Sequence, residues 1–303
     1  MMSFFYAKIR YFSGEKKVSL QDGTKPIKHI LMKKILLLAA VLILAASCTQ
    51  KKTSKYLVLY YSQTQTTQAV AEAIANTLGA DIEAIECVVP YDGDFNATIQ
   101  RGQKEMAEGN LPELKPLTVD VKNYEVIFLG YPIWFGTYAP PVAALLENVD
   151  FSGKKIVPFC TFGSGGLDSS VKDLKDKLPD AEILPGYGVR QARIDAAPAE
   201  VERFLQAGGF LGGDFTPLPD FSEARPVTEE ESAIFDTAVG TYPMISAKAA
   251  EVASRAVPGG MEYLFTAQET PRGPVAEDAP ARFIKVYVLA EDGKEPVFTQ
   301  VLR

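Results

Sequence analysis

The sequence predicts a two-domain protein, with a three-layer α/β domain over residues 55–206 and a small α+β domain over residues 228–303. The first domain is predicted by five apolar, strand-like runs that alternate with amphipathic helical segments. The second is predicted by a change of pattern, because one helical segment is followed by four strand-like runs with no helix between them. Residues 207–227 are rich in Gly and Pro and are interpreted as a linker.

Five strands and five helices are predicted in the first domain. The strands are Tyr56–Tyr61, Ile82–Val88, Glu125–Gly130, Lys155–Thr161 and Ala181–Leu184. The helices are Thr67–Leu78, Asn96–Ala107, Pro140–Asn148, Ser169–Leu178 and Pro198–Gln206. Nearly continuous apolar runs are typical of strands that helices cover on both faces. Right-handed crossovers then give a five-stranded parallel sheet, for which we expect the order 2-1-3-4-5.

The second domain is predicted to begin with a helix over Thr228–Val239. Four hairpin-connected strands follow at Ala247–Val257, Met261–Gln268, Arg282–Ala290 and Val297–Leu302. One helix with such strands is typical of a small α+β domain.

An export signal is predicted ahead of both domains. Met32 and two lysines precede about twelve apolar residues and a few small ones, which is the order of a secretion signal. About twelve apolar residues are too few to span a bilayer, although a buried core helix is an alternative. The run ends at Cys48 in a pattern that resembles a bacterial lipobox. We therefore expect residues 1–31 to precede the true start, residues 32–47 to be a lipoprotein signal peptide, and a lipid on Cys48 to anchor the exported protein in the cell envelope.

Removing residues 1–47 would also limit the chemistry of the chain. His29 is the single histidine, so serine–histidine triads, cysteine–histidine pairs and histidine-ligated zinc would be excluded. Eight basic and two acidic residues would be lost, which moves the net charge from −7 to −13. Because so acidic a chain binds nucleic acid poorly, we expect membrane contact through the lipid and no nucleic-acid partner. We also expect no metal.

Three turns of unusual composition follow predicted strands one, three and four. The first contains hydroxyl residues that can bind phosphate together with the amides of a helix start. The second, Tyr131–Tyr138, offers aromatic faces to a flat ligand, and the third permits close backbone approach through glycine. Helix capping by the hydroxyls and core packing of the rings are the alternatives. The candidate residues are Ser62, Gln63, Thr64, Gln65, Thr66 and Thr67, then Pro132, Ile133, Trp134, Phe135 and Gly136, and finally Thr161, Phe162, Gly163, Ser164, Gly165 and Gly166.

These turns meet at the carboxyl edge of the predicted sheet, where open α/β folds bind ligands. Through these motifs, residues 56–206 resemble the flavodoxin family in its exported bacterial branch. The resemblance implies a flavodoxin-like sandwich that binds FMN, with the phosphate on the first turn, the isoalloxazine ring under the second and its other edge along the third. Gln65 departs from the family's pattern, which has glycine there, so a side chain would crowd the phosphate or require an unusual backbone angle.

The resemblance leaves three functions open. The first is an FMN-binding electron-transfer protein of the bacterial cell envelope, with an unidentified redox partner protein. The second is an FMN-dependent NAD(P)H:acceptor reductase, for example of quinones, which turnover of NADPH would favour. The third is a flavin-free binding or inhibitor module that uses the second domain. We predict no catalytic residue of the chain itself, because the flavin would carry the chemistry. The acidic surroundings would lower the reduction potential of the flavin.

The second domain resembles a cystatin-like domain through the segments Ser232–Tyr242 and Val252–Phe265. Inhibitory cystatins insert a Gln-Val-Val-Ala-Gly hairpin and a tryptophan-bearing hairpin into a protease cleft. The corresponding stretch here is Arg255–Gly259, and Ala281–Arg303 contains no tryptophan. We therefore expect this domain to dock on a partner or on the first domain rather than to inhibit a protease.

The two remaining cysteines are predicted to stay unpaired. Cys87 is expected at the end of strand two and Cys160 at the end of strand four, about 14 Å apart across the sheet. A disulfide needs α-carbons within about 7 Å. We therefore predict two free, buried thiols, which titration of the denatured, unreduced protein would count.

Overall fold

The computed structural model describes residues 54–240, 242–271 and 280–303. The predicted upstream extension, the signal peptide and Cys48 lie outside these residues. No helix in the described part of the chain is both long and apolar enough to cross a membrane. A domain with a mostly parallel sheet is followed by a domain with an antiparallel sheet, so the order of fold classes predicted from the sequence is confirmed.

The first domain holds seven strands and five α-helices among the described residues. The strands are β1 (Tyr56–Tyr60), β2 (Asp81–Ala84), β3 (Val126–Trp134), β4 (Thr137–Tyr138), β5 (Lys155–Phe162), β6 (Glu182–Ile183) and β7 (Tyr187–Arg190). The helices are α1 (Thr66–Leu78), α2 (Phe95–Glu108), α3 (Pro140–Asn148), α4 (Leu167–Lys177) and α5 (Ala197–Ala207). Short 3-10 helices cover Val121–Asn123 and Gln191–Ala196.

Alternate side chains of the central strands enter two separate hydrophobic cores. Leu57, Ile127 and Ile156 lie in the core that α3 and α4 cover. Val58 and Phe128 lie in the core on the opposite face, which α1 and α5 cover. Because helices bury both faces of the sheet, these strands are apolar at successive positions, and this pattern made them predictable.

The sheet differs from the predicted five strands in the order 2-1-3-4-5. Its main path is β2-β1-β3-β5-β6, with β4 paired to β3 and β7 paired to β5. The predicted fifth strand, Ala181–Leu184, is shortened to β6, and the ladder is interrupted near Pro185, which has no N–H to donate. Pairing with β5 resumes at Tyr187, so β7 continues the sheet where the sequence analysis predicted none.

Strand three extends beyond its predicted end at Gly130. Its later residues pair first with β5 and then with β4, so that β3 runs to Trp134. The turn between β3 and β4 contains Phe135 and Gly136, whose φ angles of 54° and 88° fit a two-residue hairpin turn of type I′. The interpretation of Tyr131–Tyr138 as a loop is therefore wrong, because most of this segment is a strand and a hairpin.

Strand two is shorter than predicted. It ends at Ala84 rather than Val88, because the following segment leaves β1 and pairs elsewhere. The amide of Val88 donates to the Glu113 carbonyl at 2.9 Å. Cys87 consequently lies in an isolated bridge outside β2, whereas the sequence placed it at the end of that strand.

The two described cysteines, Cys87 and Cys160, are free and buried, which confirms the prediction of two free thiols. Burial raises the pKa of Cys87 to about 11. Burial also moves the pKa of Cys160, inside β5, well above the ordinary value for a thiol. Both groups are therefore neutral thiols near pH 7, the form that is a poor nucleophile.

The second domain packs one helix on an antiparallel sheet. Its elements are β8 (Arg225–Pro226), α6 (Glu229–Val239), β9 (Ala247–Val257), β10 (Gly260–Glu269), β11 (Phe283–Glu291) and β12 (Val297–Leu302), and the strand order is β12-β11-β10-β9-β8. Phe235 of α6 contacts Phe265 of β10 in the core, with a ring separation of 5.2 Å. The predicted helix and four strands are present, while β8 falls inside the segment predicted to be a linker.

A buried carboxylate fixes the start of α6. Glu231 accepts hydrogen bonds from both terminal nitrogens of Arg225, at 2.6 and 2.8 Å, and from the amide of Thr228 at 2.9 Å. The Thr228 hydroxyl in turn accepts from the Glu231 amide, which completes a capping box. The hydrogen bonds from Arg225 are the main reason that the pKa of Glu231 is lowered to about 2.

We predict that Glu231→Gln destabilises the protein at pH 7 by about 1–2 kcal/mol, a value reduced because Arg225 is half-exposed. Since the folded state binds the proton of Glu231 more weakly than the unfolded state does, this contribution is present above pH 4.5 and is lost as the pH falls to about 2. Urea unfolding at several pH values tests this. Equal pH dependence of the parent and the glutamine variant between pH 2 and 4.5 would contradict the assignment.

Candidate functional site

A cavity of about 480 Å³ opens at the carboxyl edge of the parallel sheet. Its volume lies within the range of about 300–1,000 Å³ that small-molecule sites occupy. The predicted site residues that line it are Gln63, Thr64, Thr66, Pro132, Ile133, Trp134, Phe135, Thr161, Phe162 and Gly163, and the remaining lining residues are Phe95, Thr98, Ile99 and Gln191. None of these fourteen residues carries a charge. The three predicted turns therefore meet around one neutral cavity.

The other predicted site residues do not line the cavity. They are Ser62, Gln65, Thr67, Gly136, Ser164, Gly165 and Gly166. Two of them tie elements of the wall together. The Thr67 hydroxyl is 2.8 Å from the hydroxyl of Thr161, which joins α1 to the end of β5. The Gly136 carbonyl accepts from Ser169 at 2.6 Å, which joins the β3–β4 hairpin to α4.

The hydroxyl-rich turn leads directly into α1. The Ser62 hydroxyl oxygen accepts from the amide of Gln68 at 3.2 Å, so this hydroxyl does bind the helix start. Thr64 and Thr66 instead bond to each other at 3.1 Å and line the cavity. Gln65, the residue before the helix, provides no side-chain cap. Helix capping thus accounts for Ser62 only, and two neutral hydroxyls remain beside the positive end of α1.

Gln65 itself has a left-handed backbone, with φ of 64° and ψ of −3°. Side chains other than glycine rarely adopt this region, and an ordinary residue there costs about 1–3 kcal/mol. Because the family pattern has glycine at this position, the sequence predicted either a crowded phosphate or an unusual backbone angle. The structure shows the unusual backbone angle.

We predict that Gln65→Gly stabilises the protein by about 1 kcal/mol, because relief of the backbone strain exceeds the entropy that glycine adds to the unfolded chain. The matched control is Gln65→Ala, which removes the side chain and keeps the strain. Denaturant unfolding distinguishes the two, and a gain in both variants would show that the side chain, rather than the backbone, is unfavourable.

Aromatic rings form another part of the cavity wall. The ring of Trp134 lies 5.3 Å from that of Tyr91 and 6.0 Å from that of Tyr61. Phe95 and Phe135 also line the cavity, with 78% and 47% of their surface exposed. Contacts from several sides hold the indole, while the two phenylalanines keep faces open to the cavity and to solvent.

Helix α2 packs closely behind this wall. A Cβ atom at Gly102 would lie 3.3 Å from the Trp134 ring and 3.2 Å from that of Phe135, so glycine allows the helix to approach. Two of the four predicted rings do not reach the cavity, because Tyr131 and Tyr138 are buried in the core. For those two, core packing is the correct interpretation.

A chain of hydrogen bonds connects the first turn to the segment before α2. The hydroxyl of Tyr61 donates to the Gln63 side chain at 2.5 Å, and the Gln63 amide nitrogen donates to the Tyr91 carbonyl at 2.6 Å. The Tyr91 hydroxyl donates to Glu105, which also accepts from Arg101 at 2.8 Å. Burial raises the pKa of Tyr61 and of Tyr91 far above the ordinary value for a phenol. Both phenols therefore stay protonated donors.

The glycine-rich turn after β5 contacts the second domain. The amide of Val301 in β12 donates to the Ser164 carbonyl at 2.7 Å. Arg190, at the end of β7, donates to the Gly163 carbonyl at 2.9 Å and to the Phe298 carbonyl at 2.8 Å. The expectation that the second domain docks on the first is thus met at this turn.

Sequence reasoning missed four lining residues. Phe95, Thr98 and Ile99 belong to the first two turns of α2, which the sequence presents as a polar helix. An aromatic residue at the start of the helix that follows strand two was the available signal, because that helix begins at the same edge of the sheet. Gln191 was missed because it directly follows β7, which was not predicted. The described residues contain no group of three or more His, Cys, Asp or Glu side chains that could hold a metal ion.

Comparison with known proteins agrees with this geometry. A sequence model of the flavodoxin family matches residues 55–203. A candidate flavoprotein from Bacteroides eggerthii is 30% identical, over 50% of this chain and 99% of its own, with a TM-score of 0.42. Residues 55–203 form a flavodoxin-family domain. No curated protein matches it.

Further solved structures align with the same flavodoxin domain. A candidate flavoprotein from Bacteroides uniformis is 26% identical, over 50% of this chain and 99% of its own, with a TM-score of 0.45. A flavoprotein from Lactobacillus acidophilus, solved in complex with FMN, is 22% identical, over 47% of this chain and 97% of its own, with a TM-score of 0.42. The cavity lies wholly within the residues that the flavodoxin family covers.

Proposed function

We propose that the flavodoxin domain binds FMN and that the protein carries electrons in the bacterial cell envelope. The observation that carries the proposal is the neutral cavity of about 480 Å³ that is lined by both hydroxyls and aromatic rings. Thr64 and Thr66, beside the start of α1, would hold the phosphate without a basic side chain. Trp134 and Phe135 would hold the flat ring system. The complex of the Lactobacillus flavoprotein with FMN supports the same cofactor.

Bound FMN would supply one- and two-electron transfer, and the protein's part is to bind, orient and shield it. The hydroxyls would fix the phosphate end, while the aromatic wall would exclude water from one side of the ring. Gly163, which also lines the cavity, allows backbone to approach the ring edge. The rings of Phe95 and Phe135 at the mouth leave an apolar border at which a partner protein could receive or deliver electrons.

The test is an absorption and fluorescence titration of the fragment 49–303 with FMN. Stoichiometric binding with quenched flavin fluorescence supports the proposal, and a colourless protein that cannot be reconstituted refutes it. Steady oxidation of NADPH by the loaded protein would instead favour the reductase alternative. A protein without flavin would direct attention to the second domain, whose cystatin-like character remains a prediction.

Envelope anchoring through Cys48 is a separate part of the proposal. Labelling of cells with a radioactive fatty acid should mark the parent protein and leave a Cys48→Ser variant unmarked. Equal labelling of both, or of neither, would refute the anchor without affecting the flavin proposal.

A further inference from the structure

The glycine-rich turn after β5 lies between the cavity and the second domain. Gly163 lines the cavity, and a Cβ atom there would lie 2.9 Å from the Tyr242 hydroxyl. Two residues later, a Cβ atom at Gly165 would lie 2.3 Å from the Val301 carbonyl oxygen. Glycine is therefore required for β12 to approach this turn so closely. A movement of β12 would displace the turn and, with it, Gly163 in the cavity wall.

Arg190 links the two domains next to this contact. Its guanidinium donates to one carbonyl in each domain, those of Gly163 and Phe298. The guanidinium carbon lies 3.3 Å from the centre of the Phe298 ring and 5.3 Å from that of Tyr242, and only 8% of the residue is exposed. A buried cation is unfavourable unless its donors are bonded, so separation of the domains would remove one hydrogen bond and both ring contacts together.

We propose that the second domain is a positioning element for the flavin site, which acts through β12 and Arg190 on the turn Gly163–Gly166. The inference rests on the proposed binding of FMN. A turn with three glycines loses much conformational entropy when it is ordered. Docking of the second domain orders the turn before FMN binds, so binding itself loses less entropy. Ligand binding and domain docking are then coupled, and the coupling must act equally in both directions.

The first test uses the full chain without mutation. Hydrogen–deuterium exchange is measured with and without saturating FMN, and residues 297–303 are compared with the β9–β10 hairpin around Gly259 as an internal control. We expect FMN to slow exchange in β12 by about tenfold, within the usual range of coupling between sites, although no residue of β12 lines the cavity. Unchanged exchange in β12 in a protein that binds FMN would overturn the inference.

The second test compares two glycine substitutions. Gly165→Ala introduces a Cβ against backbone of the second domain, while Gly212→Ala introduces one into open space, and neither glycine has a left-handed backbone. We expect Gly165→Ala to raise the dissociation constant of FMN by about tenfold and to change the visible circular dichroism of the bound flavin, with Gly212→Ala unchanged. Parental affinity and an unchanged spectrum in Gly165→Ala would overturn the inference.

A third variant covers the case in which Gly165→Ala does not fold. Arg190→Gln removes the cation and should weaken FMN binding, with partial recovery in Arg190→Lys; equal binding by both and by the parent would overturn the inference. Failure of the proposed function is distinguishable from failure of this inference. In the first case the unmodified protein does not bind FMN, whereas in the second it binds FMN and its domain contact does not respond.

Discussion

Replacing Trp134 by alanine is expected to weaken FMN binding by about 5- to 150-fold, because stacking of a flat ring on an aromatic side chain contributes about 1–3 kcal/mol. The indole lines the cavity and is held by the rings of Tyr61 and Tyr91. Its position is therefore fixed before a ligand binds, so that little entropy is lost on binding. The dissociation constant is measured from the quenching of flavin fluorescence.

Two variants make this result specific to the ring. Trp134→Phe retains an aromatic face and should lose less affinity than the alanine variant. Phe215→Ala removes an aromatic residue that is 39% exposed and does not line the cavity, so it should bind FMN like the parent. Trp134 is also the single tryptophan of the chain, and its fluorescence reports binding in the parent directly. Parental affinity in Trp134→Ala would show that the flavin does not rest on this wall.

The second large effect concerns Gly130, in the centre of the parallel sheet. A Cβ atom at this position would lie 2.1 Å from the nearest atom of the Phe159 ring, which is fully buried in β5. The ring has no free space to move into, and overpacking of this kind costs about 1–3 kcal/mol or more. We expect Gly130→Ala to lower the free energy of unfolding by about 3 kcal/mol, measured by urea denaturation.

A double variant tests the cause of that loss. Phe159→Leu removes part of the ring, so Gly130→Ala should cost less in its presence than in the parent. Additive losses in the two variants would show that contact with Phe159 is not responsible. Gly212→Ala again serves as the control for a general effect of replacing glycine, since it has open space around it.

The central strands were predictable for a physical reason that does not extend to the edges. β1, β3 and β5 are buried on both faces over most of their length, so nearly every position there is apolar and the run itself identifies the strand. β7 holds only two apolar residues, beside one glycine and one arginine, and it follows Pro185. Its pairing therefore depends on the edge that β5 offers rather than on its own composition. The sequence of a short segment does not indicate which strand it will pair with.

The candidate site shows the same limit. The compositions of the three turns indicated which ligand groups they could bind. The predicted strands placed these turns correctly at the carboxyl edge of the sheet. Trp134 lines the cavity at the end of β3, beside the hairpin, whereas Tyr131 is buried in the core, and this hairpin was not predicted. The position of Phe95 at the start of a helix was the one signal for its place in the site, and the structure shows that α2 packs against Trp134.

Contact between Val301 and the glycine-rich turn also bears on the order in which the protein is made. Of the described elements, β12 is the last to be translated, while the turn it supports follows β5 near the middle of the chain. A nascent flavodoxin domain can therefore form its sheet with this turn still unsupported. Completion of the proposed flavin site would then be a late event in biogenesis, after the second domain has emerged and folded.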